Sequence, residues 1–356
     1  MEAGKTRNHT VDVIRGIAML MVVLGHTMTG TVADAENRVI YNMIWSLQMP
    51  LFMLISGYVM RYSRGATDAK GLGLLLLRRV RTYFLPWAVW TFLVRGLIFG
   101  QHRFFDIPWL VNHMDSGYWF LFSLLVISVI FALADFFAGK IIKKREGWRL
   151  VLTTVFYGVG AAALLLVGLK VGLSFLCIKL TVYYMPFFFA GYLFGKLRQM
   201  GIVARLGRIT LDVVVVLCAG LWFYLVIRYN MFRLSDGGMD ILLRAGASLA
   251  GCVAVCGAIA GAISGLSATS RAVRGFAFVG VHSLEIYLIH YLVLCPFKVV
   301  PTLALGSVKG ALMVAVNFAI TVLVSLLLIK LAEPNRVLQF SLFGRLQGRK
   351  NGGSRI

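Results

Sequence analysis

Three residues of one short stretch could do proton and anion chemistry where no water is expected. The run Val11-Asp-Val-Ile-Arg-Gly-Ile-Ala-Met-Leu-Met-Val-Val-Leu-Gly-His26 is apolar except for Asp12, Arg15 and His26. A neutral imidazole among aliphatic side chains can take a proton and return it. Arg15 stands eleven residues before His26. On a helix eleven residues close three turns to within about 20°, with a rise of about 16 Å, so both side chains share one face. Asp12 lies one turn before Arg15 and can pair with it. The plainer account makes Arg15 a snorkelling cation and His26 a packing residue. Two polar groups on one stripe argue for function.

Other polar residues also interrupt apolar runs. Glu285 and His290 stand five apart in Gly280-Val-His-Ser-Leu-Glu-Ile-Tyr-Leu-Ile-His290. That spacing turns them about 140° from one another. Lys179 and Arg95 are their candidate partners. Between Tyr41 and Tyr58, Pro50 and Gly57 are expected to interrupt the helix, where Gln48 and Ser56 can satisfy the freed backbone groups. Close helix packing explains the same small residues. Arg78, Arg79 and Arg81 form a cluster whose forks suit phosphate oxygens, although charge on the cytoplasmic side of a membrane explains such clusters too. The stretch 101–116 is rich in rings and leads to Tyr118 and Trp119. An interfacial belt and a sugar-stacking platform are both open there. His102 and His113 have no metal-site spacing, and no metal is expected.

Helices in a bilayer must position these groups. Of 356 residues, 59% are hydrophobic and only 14% charged, with a mean hydropathy of +0.83. A soluble chain shows about 45–50% and about 25%. A soluble enzyme, a disulfide scaffold and a disordered chain are excluded, leaving an all-α polytopic membrane protein. About ten transmembrane helices are expected, at 11–31, 39–60, 83–100, 117–138, 150–169, 172–195, 210–229, 243–264, 276–297 and 309–331. The third is weakened by Pro86 and Arg95, and the sixth opens on a polar-spotted run.

The net charge of +22 reads as loop charge rather than nucleic-acid binding. With this set of spans, 25 of the 36 lysines and arginines fall on one side and 8 on the other. Both termini are therefore expected in the cytoplasm, N-in and C-in. Residues 1–335 are expected to form the transmembrane domain, and 336–356 a basic, disordered cytoplasmic tail. Cys177, Cys218, Cys252, Cys256 and Cys295 fall in apolar stretches and read as packing residues.

In their order these pieces resemble the acyltransferase-3 family of integral-membrane acyltransferases, nearest its fucose-4-O-acetylase-like branch. The matching segments are Asp12-Val-Ile-Arg15-Gly-Ile-Ala with Gly25-His26, and Ser46-Leu-Gln-Met-Pro-Leu-Phe-Met-Leu-Ile-Ser-Gly-Tyr58. Arg78-Arg-Val-Arg81 with Pro86, Tyr118-Trp-Phe-Leu121, Met185-Pro-Phe-Phe-Phe-Ala-Gly-Tyr192 and Ser283-Leu-Glu-Ile-Tyr-Leu-Ile-His290 complete the set.

The resemblance implies transfer of an acyl group, acetyl in the first instance, from cytoplasmic acyl-CoA as co-substrate. The implied acceptor is a hydroxyl of a cell-surface or lipid-linked carbohydrate. No bound cofactor and no nucleic acid are implied, and the location is a bacterial cell membrane. His26 would be the general base and Arg15 would orient the donor. Arg78, Arg79 and Arg81 would hold donor phosphates. Asp12, Gln48, Ser56, Trp119, Glu285 and His290 would line the acceptor cavity. Gln48 departs from the histidine common at that place in this branch. The rival class is a multi-span transporter or glycan flippase. Such proteins commonly show related halves, and the first-span motif has no counterpart in the second half.

Overall fold

The computed structural model describes residues 8–62, 65–265, 270–294 and 303–345. Among these residues the elements are helices joined by short turns. They are α1 (His9–Thr31), α2 (Val39–Met60), α3 (Ala69–Arg79), α4 (Leu85–Ala88), α5 (Ile107–Asn112), α6 (Trp119–Ile141), α7 (Glu146–Val171) and α8 (Ile178–Gln199). There follow α9 (Ile202–Arg205), α10 (Gly207–Arg228), α11 (Gly238–Ser264), α12 (Arg271–Val281), α13 (Ser283–Leu294), α14 (Val308–Ala332) and α15 (Arg336–Phe343).

Among the described residues eight helices are each long and apolar enough to cross a bilayer, and α12 with α13, bent by 76° across His282, makes a ninth if the pair is one broken span. The expected span at 83–100 has another construction. The chain is helical from Ala69 to Ile98, but Val80–Phe84 and Val89–Ile98 are π-helical. Pro86 accounts for part of this. Its ring would strike the carbonyl four residues back and it has no N–H to donate, and a wider π turn before it relieves the clash. By contrast α2 runs unbroken through Pro50, so the expected interruption there does not occur. The polar-spotted run before α8 does break the helix: Gly172, Leu176 and Cys177 all have positive φ.

The chain divides into two compact units, residues 1–62 with 187–329 and residues 63–186 with 330–356, the boundary falling inside α8. In the first unit α1 is the hub. Its Val11, Ile14 and Ala18 pack with Leu47, Leu51 and Ile55 of α2 and Cys252 of α11. Against α12 the contact is backbone to backbone. A methyl built at Gly16 would lie 3.1 Å from Gly280 N, and one at Gly280 would lie 2.7 Å from the Asp12 carbonyl carbon. α2 crosses α8 in the same way, with a methyl at Gly57 falling 2.7 Å from the Phe188 carbonyl carbon. Gly57 is thus a packing residue. Small side chains let helix backbones approach where lipid supplies no hydrophobic drive.

Asn42 ties the C-terminal end of α10 to α2. Its Nδ2 donates to the carbonyls of Val226 (2.6 Å) and Tyr229 (2.7 Å), and its Oδ1 accepts from Met231 N (2.7 Å). Beyond the end of α1, Asp34 accepts from Leu305 N (2.7 Å) and Arg38 Nε (2.6 Å), and these bonds hold its carboxyl below the ordinary 3.8.

In the second unit α6 pairs with α7, fastened by Arg149 to Asp135 at 2.8 Å. Arg95 is buried within its own unit, donating to Gln101 Oε1 (2.9 Å) and Ser116 O (3.0 Å), its guanidinium 4.4 Å from the Phe104 ring. It anchors the ring-rich stretch 101–118. The expected disordered tail begins instead as the helix α15, because Gln339 and Phe343, one turn apart, are buried against the unit. Residues 346–356 lie outside the described residues, as does Cys295. Cys177 and Cys252 are buried thiols, and Cys218 and Cys256 are partly buried.

Candidate active site

His26 sits five residues before the end of α1 and is an exposed residue, while Gly25 and Thr27 on either side are buried. The ring centroid lies 5.4 Å from that of His290 and 6.0 Å from that of Tyr291, both on α13. The bend between α12 and α13 redirects the chain after α12 has packed on α1, and the residues after that bend meet His26. The sequence selects His26 and His290 separately by their polarity. Their meeting is a finding of the fold.

His290 is 2% exposed. Its Nδ1 lies 3.0 Å from Ile286 O. A carbonyl only accepts, so Nδ1 carries the hydrogen and Nε2 holds a lone pair. That Nε2 is buried and has no hydrogen-bond partner among the described residues. Gln48 of α2 supplies a second such atom. Its Oε1 is buried and unpartnered, and lies where a methyl at Gly25 would be 3.1 Å away. Leaving a buried acceptor without a donor costs about 1–3 kcal/mol. One of these acceptors is on the ring next to His26 and the other lies beside Gly25. A hydroxyl has the hydrogen that either would accept.

The other chosen residues divide. Asp12 is buried and its carbonyl lies at the α1–α12 crossing, with Arg15 half-buried a turn further on. Both are therefore on the helix of His26, about three turns below it. Glu285 is 0% exposed in the first turn of α13, its Oε1 3.5 Å from His282 Nδ1. A carboxylate at that place also complements the helix dipole. Ser56 is half-buried next to the crossing of α2 on α8, two turns from Gln48.

Trp119, Arg78, Arg79 and Arg81 belong to the second unit. Trp119 stacks on Tyr184, centroids 5.4 Å apart and 21° between planes. Rings of the 101–116 stretch also stack on one another: His113 lies on Trp109 at 4.8 Å and 8°, and the Arg103 guanidinium is 4.5 Å from the same indole. Trp109 is thus engaged by residues of its own loop. Arg78 is exposed and Arg79 half-buried in the last turn of α3. Arg81 follows on the first π segment, its Nε buried and without an acceptor among the described residues. Among the described residues no group of three or more histidines, cysteines or acids could hold a metal ion.

Sequence reasoning passed over the neutral polar residues. Asn317 Nδ2 of α14 donates to Thr31 Oγ1 at 3.0 Å, and Asn317, Thr321 and Ser325 lie four apart, all buried. Their signal was the spacing of four in an otherwise apolar span.

A family model described as an acyltransferase domain, of the acyltransferase-3 type, matches residues 8–330. No curated protein and no solved structure matches the chain.

Proposed function

As a member of the acyltransferase-3 family the chain is a multi-pass membrane acyltransferase, and we propose that it moves an acetyl group from acyl-CoA to a carbohydrate hydroxyl. The acceptor hydroxyl gives its proton to His26 as its oxygen attacks the thioester carbonyl. The C–S bond breaks, and the imidazolium returns the proton to the departing thiolate. Arg15 orients the donor and offsets the donor's negative charge. His290 and Gln48 receive hydrogen bonds from the acceptor, with Asp12, Ser56, Trp119 and Glu285 as further lining residues. Arg78, Arg79 and Arg81 take the donor phosphates.

The observation that supports this reading is the His26 ring 5.4 Å from a buried His290 whose Nε2 has no hydrogen-bond partner among the described residues. A packing histidine would have its nitrogens satisfied by the helices it joins. The fucose-4-O-acetylase-like branch, the carbohydrate acceptor and the cytoplasmic donor rest on the motif resemblance. Ten spans rest on the apolar stretches and the loop charge, both termini in the cytoplasm rest on the loop charge, and a bacterial cell membrane rests on the resemblance.

The test is mass spectrometry of surface and lipid-linked glycans from cells with the protein, without it, and with His26→Ala. Base-labile acetyl esters should be present only in the first. Identical ester content in all three would overturn the proposal.

A further inference from the structure

The crossing of α2 on α8 continues past Gly57 to the end of both helices. A methyl at Gly195 would lie 2.9 Å from Arg61 Cδ and 3.2 Å from the Tyr58 carbonyl oxygen. Glycine at 195 therefore lets the stem of Arg61 lie on α8. Arg61 is the residue that ends α2, and Arg198 stands in the last turn of α8, three residues past Gly195.

Both guanidinium groups are brought to one tyrosine. That of Arg61 lies 4.0 Å from the Tyr58 ring centroid and 4.4 Å from that of Tyr62, and donates to the Tyr62 hydroxyl. Arg198 Nη1 donates to Tyr58 Oη at 3.1 Å. Tyr58 is 8% exposed, and its ring stacks on Phe194 with centroids 6.1 Å apart and 29° between planes. A buried, stacked ring holds the two cations in fixed places.

Like charges gathered in this way raise the energy of the fold unless an anion joins them. Among the described residues neither arginine forms an ion pair with a carboxylate. Arg61 Nε is buried and has no acceptor among them. A phosphate brings the missing charge and enough oxygens for two guanidinium groups at once. Charge bias between the two sides of a membrane explains arginines at this end of the helices. It does not explain a glycine contact that lays one of them along the helix of the other.

The neighbourhood suits such a ligand. Phe194 lies one turn before Arg198 on the same helix face and is 45% exposed, on a helix long and apolar enough to cross a bilayer. An apolar ring with a guanidinium one turn beyond it, at the end of a span, marks the depth of lipid headgroups.

We propose that Arg61 and Arg198, mounted on Tyr58, form a binding site for a phosphate ester, carried by a lipid headgroup or by a soluble nucleotide. The site lies wholly within the first unit and does not depend on the donor role given to Arg78, Arg79 and Arg81.

The experiment follows the thermal unfolding midpoint of purified full-length protein in dodecyl maltoside. The probes are phosphatidylglycerol, a diacylglycerol with the same chains and no phosphate, and adenosine 3′,5′-bisphosphate. At least one of the two phosphate-bearing probes should raise the wild-type midpoint, and diacylglycerol should not. Arg198→Gln should raise the half-saturating concentration of that probe about tenfold, the scale of one charge-assisted bond. Arg61→Gln should do the same, and Arg61→Lys should recover part of the loss. Arg233→Gln, which removes an exposed charge in the turn between α10 and α11, should leave it unchanged. Should Arg61→Gln misfold, Arg198→Gln, exposed and holding a single bond, decides. Whichever probe Arg198→Gln weakens names the source of the phosphate. Half-saturation in Arg198→Gln equal to that in Arg233→Gln for both phosphate probes overturns the inference, as does a wild type that neither of them stabilises.

Discussion

Replacing Gly280 with alanine adds one methyl group at the α1–α12 crossing. That methyl would lie 2.7 Å from the Asp12 carbonyl carbon and 2.9 Å from Gly16 N, whereas ordinary contact begins at 3.4 Å. Both obstacles are backbone, so no rotamer change relieves them. The helices must part by about 1 Å, and overpacking of this kind costs about 1–3 kcal/mol. The upper end applies, because the two helices hold each other through this crossing. Alanine returns about 1 kcal/mol of helix propensity, for a net loss of about 2 kcal/mol. Gly30→Ala, also on α1, is the control: nothing lies within 4 Å of its methyl, so it should be neutral or gain up to about 1 kcal/mol. Thermal unfolding of the two variants in one detergent should separate them by several degrees, Gly280→Ala below wild type. The same shift should move α1 against α13 and lower acyl transfer. Equal midpoints for the two variants would refute the backbone-contact argument.

Other consequences follow from the same contacts. Asn42→Leu leaves the Val226 and Tyr229 carbonyls and the Met231 N–H without their partner, and should destabilise the protein by about 2–4 kcal/mol, read by thermal unfolding. The depressed carboxyl of Asp34 stabilises the fold above its ordinary value of 3.8, and that contribution is lost as pH falls through the lower folded value. Asp34→Asn should therefore be less stable than wild type at neutral pH, with the difference shrinking toward strong acid. Arg95→Leu removes the bonds to Gln101 and Ser116, and should speed hydrogen exchange and proteolysis within 101–118 while leaving α1 protected.

Polarity made the candidate residues legible in the sequence. Arg15, His26, Glu285 and His290 stand out in apolar spans because each would be expensive in lipid, and helical periodicity put the first two on one face. Long-range geometry did not show. Gly16 and Gly280, or Gly57 and Phe188, are far apart in sequence, and nothing local says that they touch. The pairing of His26 with His290 depends on the bend at His282, which no proline announces. The π segments around Pro86 arise from a clash that sequence reading took only as a weakness in a span. At the tail, the Gly-rich basic run after Phe343 hid a short helix whose apolar face is just Gln339 and Phe343. The bonds of Arg95 did not show in the sequence because Gln101 and Ser116 are loop residues with no pattern of their own.

The central claim is that His26 takes the acceptor proton. Its most direct measurement is acetyl transfer from labelled acetyl-CoA by purified protein in proteoliposomes, wild type against a folded His26→Ala variant. Loss of general-base catalysis predicts a fall in kcat of about 10²–10⁴-fold, with the KM for acetyl-CoA little changed. A His26→Ala protein that transfers acetyl at the wild-type rate would contradict the account.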